Sequence, residues 1–266
     1  MTTIQFTTDG SNRHACCARL CCCLLGCHLC CGLHAVRQLA HQSWQRQVQL
    51  ALVKKGTVFD GQMKTYERSN VACSGRNEGG KDAAVFLVEP GATLKNVIIG
   101  KNQAEGVHCE NHDCTIQNVW WDDVCEDALT IKAGFASSVA KIIGGGARNA
   151  DDKIIQHNGA GTVSIEGFFA QNFGKLYRSC GNCKTQYQRK VTVTNVYAVN
   201  PKVTLVGVNK NYKDQAKFSN IKIKSSKTPK VCTYFQGGTS DEPKELGSGI
   251  LPPTCQYSAS DIQISA

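Results

Sequence analysis

The feature that most limits what this chain can fold into is a short pattern that returns along its middle. "TLKNVII" from Thr93, "TIQNVWW" from Thr115, "VSIEGFF" from Val163, "VTVTNVYA" from Val191 and "KFSNIKI" from Lys217 each set apolar residues on both sides of a small polar one, and "VAKIIGG" from Val139 fills the gap. The equivalent positions Asn96, Asn118, Ile142, Gly167, Asn195 and Asn220 follow one another at intervals of 22 to 28 residues. A second series, "GVHC", "ALTIK", "KIIQHN", "KLYRSC" and "KVTLVGV", keeps the same period, led by Val107, Leu129, Ile154, Leu176 and Val203. Two offset series with one period imply two or three strands per repeat, and no helix-period stripe competes with them.

A repeat of this length cannot bury its own apolar face, so successive copies must stack and share one core. The expected fold is therefore all-β, a single-domain parallel β-helix over residues 51–266, with an irregular extension at 1–50. A β-sandwich would space its strands at about 8–12 residues without the longer super-period. The recurring asparagine suits an inward-turning corner, where like amides hydrogen-bond up the stack.

Sixteen cysteines divide into eight within residues 16–31 and eight spread across the rest. The spread set points to disulfides and an oxidising compartment, with the pairing left open. Cys109 and Cys114 read as a local bridge or as parts of separate bridges, and Cys180 and Cys183 could form half a zinc site that lacks a second half. The stretch "RLCCCLLGCHLCCGLHAV" reads first as a secretory signal core, which would make the protein extracellular. A palmitoylated anchor, a metal-binding tract and a misassigned start are its rivals. No later stretch reaches the roughly 18 apolar residues of a membrane span. The formal net charge of +9 favours an acidic partner. Scattered basic residues, with no RRM or zinc-finger spacing, argue against nucleic acid.

Against that basic background, "NVWWDDVCEDALTIK" gathers Asp122, Asp123, Glu126 and Asp127. Stacked parallel strands lie about 4.8 Å apart, so equivalent residues of successive coils become neighbours. Immediately before each strand of the second series stand Glu105, then Glu126 and Asp127, then Asp152 and Lys153, then Lys175, then Lys202. Glu105, Glu126 and Asp127 thus form an all-oxygen set suited to Ca²⁺, with Asp122 and Asp123 turned outward. Lys132, Lys153, Lys175 and Arg178 form a cationic rim beside it. A ligand spanning both halves should carry repeated carboxylates, as a polyuronate does. Cations next to a base also suit removal of a proton α to a carboxylate, followed by β-elimination. Neighbouring cations are expected to lower the pKa of a lysine base.

The blocks "FDGQMKTY", "GATLKNVIIG", "EGVHCENHDCTIQNVWWDDVCEDALTIK", "DDKIIQHNGAGT" and "GKLYRSCGNC" resemble those of pectate lyases of polysaccharide lyase family 3, in order from about Gly56 to about Cys232. The resemblance implies a right-handed parallel β-helix and Ca²⁺-dependent endo-cleavage of polygalacturonate by β-elimination; a monomer is expected, with nothing in the sequence fixing the oligomeric state. By position it implies Glu105, Glu126 and Asp127 as calcium ligands, with Glu105 standing where the family usually has Asp. It implies Lys153 as proton abstractor with Arg178 as rival base, and Lys132, Lys175 and Arg178 as binders of substrate carboxylates. An upstream family acid maps loosely to Glu78. The first fifty residues match nothing in the family.

Taken singly, each charged residue at a turn is a solvated face, and it is the column that gives them meaning. Of Trp120 and Trp121, one should be core and the other could be a platform for a sugar ring. His108, His112 and His157 show no triad pattern. A polygalacturonase-type hydrolase would need paired carboxylates at glycosidase spacing, and its Gly-His-Gly and Arg-x-Lys elements are missing. A catalytically inactive pectin-binding β-helix would be expected to lose the base, yet both candidates are present.

Overall fold

The computed structural model describes the backbone of Gln45–Val48 and residues 50–75 and 79–266, all within the unit His41–Ala266. The cysteine-rich segment at 16–31 and Glu78 lie outside the described residues. Every described strand belongs to a parallel β-helix of three faces, closed at its far end by one antiparallel strand, Lys244–Ser248. Among the described residues no helix is long and apolar enough to cross a membrane.

The first face stacks the leading halves of Val58–Arg68, Thr93–Ile99 and Thr115–Trp121, then Val139–Ile143, Gly161–Glu166 and the starts of Arg189–Asn209 and Gln215–Lys224. Its inward column is Leu94, Ile116, Ile142, Ile165, Val193 and Phe218, each paired with the next and all buried. Like-on-like aliphatic stacking of this kind removes the whole side chain from water, worth roughly 1.5–3 kcal/mol per residue. The second face carries the trailing halves of the same strands together with Gly146–Arg148 and Ile262–Ser265. The third face stacks Ala51–Val53, Ala84–Val88, Glu105–Cys109, Asp127–Ile131, Lys153–His157, the end of Phe169–Ser179, the end of Arg189–Asn209 and Cys232–Gln236.

The bend between the first two faces needs one residue with positive φ in each coil. Asn96, Asn118, Asn195 and Asn220 supply it at φ 51–54°, a region that asparagine tolerates better than most residues. The amide of Asn118 donates to Asn96 Oδ1 at 2.8 Å, and that of Asn220 to Asn195 Oδ1 at 2.7 Å. The corner differs from expectation in two ways. Its asparagines are half-buried or exposed rather than inward, because the turning backbone directs the amide along the rim. Between them the position belongs to Gly144 (φ 65°) and Gly167 (φ 68°), not to Ile142, which pairs into the core. A second ladder, Asp123–Asn149–Asn172–Asn200, runs up the next corner.

Four disulfides join all eight spread cysteines: Cys73–Cys125, Cys109–Cys114, Cys180–Cys183 and Cys232–Cys255. Cys180 and Cys183 are therefore no zinc half-site. The first bridge ties the segment before residue 76 to the turn that carries Glu126, and the last ties the final coils together. Trp121 and Trp120 are both buried (1% and 4% exposed), and Trp120 donates its indole N–H to Asn118 Oδ1 at 2.8 Å. Neither is a sugar platform.

Candidate active site

The third face carries the chemistry. Its register pairs Ala84 with Glu105, Asp127 with Lys153, and Lys153 with Lys175, and the offset between Glu105–Cys109 and Asp127–Ile131 sets Glu105 level with Asp127. The predicted charged column is real, acidic at one end and basic at the other. Its far end differs: the ladder slips between Phe173 and Lys175, so Lys175 pairs with Thr204. Lys202 falls outside the column and pairs with Asp151 at 3.1 Å on the surface. The expected leading residues also move, since Leu129 pairs with Ile155 and Tyr177 with Val206, not with Ile154, Leu176 or Val203.

Lys153 Nζ bridges the acids, 3.3 Å from Glu126 Oε1, 3.3 Å from Asp127 Oδ1 and 2.7 Å from Asp152 Oδ2. Lys175 holds the other oxygen of Asp152. Burial would raise Asp152, but hydrogen bonds from Lys153 and Lys175 outweigh it and bring its pKa down to about 2. Burial would likewise lower Lys153, yet Asp127, Asp152 and Glu126 hold it above the ordinary lysine range. The expectation that cations would surround and depress Lys153 is not met here, because its immediate neighbours are carboxylates.

Asp127 is 1% exposed, and neither of its oxygens accepts a hydrogen bond. Burial raises its pKa well above the usual carboxylate value, Glu126 and Glu105 add to the effect, and Lys153 opposes it. Glu105, also buried, is differently held: Gly79 N–H donates to Oε1 at 3.0 Å, and His108 Nε2 lies 3.0 Å from Oε2. His108 continues through Nδ1 to Glu110 at 2.9 Å, and Glu110 meets Lys132 at 3.6 Å. Among the described residues no three acidic, histidine or cysteine side chains already converge as a metal cage. The donor set nevertheless fits a hard cation: it is all oxygen, it includes the buried carboxylate of Asp127, and an ammonium already lies against it.

Arg178 stands three residues along from the column, in the register of His108, Thr130 and Gln156. It is 7% exposed and donates through Nη1 to Asn209 Oδ1 at 3.1 Å. Burial lowers its pKa to about 10, partly offset by Asp214 and Tyr177. The structure thus joins Glu126, Asp127 and Lys153 through direct contacts, reaches Lys175 through Asp152, and links Glu105 to Lys132 through His108 and Glu110. Asp122 is not part of the cluster, since it pairs with Arg148, and Asp123 accepts from Asn149.

Sequence reasoning did not assign roles to Asp152, His108, Glu110 or Asn209. The stacking rule reaches Asp152 once it is applied to side chains beside the column. Asn209 lies 31 residues from Arg178 and gave no signal.

The pectate lyase family profile matches residues 37–242, so the match begins within the first fifty residues, earlier than the sequence motifs alone indicated. The probable pectate lyase D of Emericella nidulans is 56% identical over 203 residues, which cover 75% of this chain and 74% of that protein. The probable pectate lyase E of Aspergillus clavatus is 56% identical over 205 residues, 76% and 77% of the two chains. Among solved structures, the catalytic domain of pectate lyase PelI from Erwinia chrysanthemi matches with a TM-score of 0.67 at 32% identity, covering 81% of this chain and all of that one. PelI in complex with tetragalacturonic acid matches with a TM-score of 0.69 at 31% identity, covering 85% of this chain and 72% of that one. With a profile match over most of its length and relatives identical at 56% of the residues aligned across three quarters of the chain, the chain belongs to the pectate lyase family and is a lyase.

Proposed function

We propose that this protein is a secreted, monomeric enzyme that cleaves (1→4)-α-D-galacturonan within the polymer by Ca²⁺-dependent β-elimination. The observation that carries the reading is the register column Glu105–Asp127–Lys153–Lys175 with the buried Arg178 beside it. An acidic end for a cation and a basic end for carboxylates match a substrate bearing one carboxylate per sugar. Four disulfides among the described residues favour an oxidising, extracellular setting.

Glu105, Glu126 and Asp127 are the residues that would hold Ca²⁺. A bound Ca²⁺ supplies positive charge against the negative charge that develops on the C6 carboxylate as C5 loses its proton. Lys132, Lys153 and Lys175 pair with substrate carboxylates and fix the register of the chain. Asp152 holds Lys175, and shares Lys153 with Glu126 and Asp127, until substrate carboxylates replace it. Arg178 takes the C5 proton, and a pKa brought down to about 10 by burial makes a neutral guanidine accessible under alkaline conditions. The electron pair left at C5 moves into the C5–C6 bond, then forms the C4=C5 double bond as the C4–O4 bond breaks. O4 leaves with the bonding pair and is protonated by water.

Lys153 is the second candidate base, supported by its place in the column directly opposite Asp127. Mass spectrometry of the products tests the reaction, since elimination leaves a new end lighter by one water than hydrolysis does. Arg178→Ala is expected to abolish those unsaturated products while Lys153→Ala mainly raises KM. Loss of kcat in Lys153→Ala alone would transfer the base to Lys153. Saturated products would mean a hydrolase, and no products with retained polymer binding an inert binding protein.

A further inference from the structure

Arg178 lies in a cradle built by residues from other coils. Its guanidinium carbon sits 4.2 Å from the centre of the Phe235 ring, and Nη1 donates to Asn209 Oδ1 at 3.1 Å. Phe235 and Asn209 are register partners on adjacent coils. Asn209 is itself pinned: its amide donates to Ser179 Oγ and to the Cys180 carbonyl, each at 2.9 Å, and its backbone N–H donates to Asp214 Oδ2 at 2.8 Å. Two glycines clear the space. A Cβ at Gly207, the partner of Arg178 in the next coil, would lie 3.0 Å from Arg178 Cδ and 3.2 Å from Phe235 Cε2. A Cβ at Gly181 would collide with Arg178 Nη2.

A free arginine side chain samples many rotamers, and a base is effective only when it is already aimed at the proton it removes. An aromatic face fixes the plane of the guanidinium, and a single acceptor on its edge fixes its rotation within that plane. We propose that Phe235 and Asn209 are positioning residues for the lyase reaction, the ring holding the plane of Arg178 and the carboxamide its rotation. The inference rests on Arg178 being the base. Phe235 is only partly buried, on Cys232–Gln236, so it can be changed without emptying the core.

The test compares full-length parent, Phe235→Leu, Phe235→Tyr, Asn209→Ala and Arg178→Ala on polygalacturonate with Ca²⁺, measuring kcat, KM and thermal midpoint. Phe235→Leu is expected to lower kcat about 10- to 100-fold with KM within about threefold, while its midpoint stays close to the parent's. Phe235→Tyr, which keeps the ring face, should recover most of kcat. Asn209→Ala should lower kcat in the same way, and Phe235→Leu keeps the test decisive should that variant not fold. Two results overturn the inference with the base assignment intact: Arg178→Ala dead while Phe235→Leu matches the parent, or Phe235→Leu and Phe235→Tyr losing kcat and midpoint together. Full activity in Arg178→Ala would overturn the base assignment itself, and the inference with it.

Discussion

Lys153 and Asp127 stand opposite one another in adjacent coils, with the ammonium 3.3 Å from Oδ1 of a carboxylate that is 1% exposed. Without a divalent cation, Lys153 is the counter-charge that permits Asp127 to be buried. Removing one partner of a buried ion pair costs about 3–5 kcal/mol, because the remaining charge is left unpaired. Lys153→Met is therefore expected to lose several kcal/mol of stability in chelator and to regain much of it on adding Ca²⁺, as read by urea unfolding. Equal destabilisation with and without Ca²⁺ would disconnect Asp127 from any cation site.

Asp152 bridges Lys153 and Lys175, one carboxylate oxygen to each ammonium. Asp152→Asn should lower KM for polygalacturonate several-fold at low ionic strength, because Lys175 loses its carboxylate partner and Lys153 one of its three, leaving more positive charge for substrate carboxylates. Its folded pKa, about 2, lies below the ordinary value of 3.8. It thus contributes stability above pH 4 that disappears as pH falls toward 2. The variant should flatten the stability profile in that window. A raised KM would instead make Asp152 a support for the two lysines.

The fully buried pair His112 and His157 gives a second pH dependence. Asp113 N–H donates to His112 Nδ1, so His112 Nε2 carries the proton and donates to His157 Nε2 at 3.3 Å. His157 Nδ1 then donates to Tyr177 Oη at 2.8 Å. Burial lowers both pKa values, His157 well below the ordinary 6.5, with His112 and Arg189 adding to its shift. The unfolded chain takes up protons below about pH 6.5 that the folded chain refuses. Stability should therefore fall on acidification, by up to about 1.4 kcal/mol per pH unit for His157, whose pKa is displaced furthest, with His112 adding in the same direction. His157→Gln should lose about one histidine's worth of that slope in denaturant titrations between about pH 6.5 and 5. A flat parent profile there would contradict the assignment.

Asn118 supplies a left-handed backbone, donates to Asn96 and accepts from the buried indole of Trp120. Asn118→Ala should cost about 2–4 kcal/mol, combining the backbone penalty with an orphaned donor. Asn118→Gly should cost about 1 kcal/mol less, since it removes only the backbone part, as Gly144 and Gly167 already do in the same column. Calorimetry of the two variants checks the order, and an alanine no worse than the glycine would deny the corner its backbone role.

The solenoid was legible because one coil repeats in the sequence, and stacking alone then made neighbours of Glu105, Asp127, Lys153 and Lys175. Register was legible only to within a residue or two. Ile154 and Ile155 are both buried, so either could lead its strand, and apolar pattern alone does not fix the choice. The slip between Phe173 and Lys175 that exchanges Lys202 for Thr204 falls at Gly174 and Pro201, which can mark a bulge but not the direction of its shift. Ile142 hid the corner role of Gly144 because it continues the apolar pattern two residues early. The cradle of Arg178 was not legible at all, since it joins Gly181 of its own turn to Gly207 and Asn209 of the next coil and Phe235 of the one after.

The most direct test of the central claim follows the ultraviolet absorbance of the unsaturated uronosyl end as full-length protein acts on polygalacturonate at alkaline pH, with Ca²⁺ and with chelator. The account predicts absorbance that grows with Ca²⁺, stops with chelator and is absent in Arg178→Ala and Asp127→Asn. New reducing ends with no unsaturation, or unsaturated product that forms equally well in chelator, would contradict it.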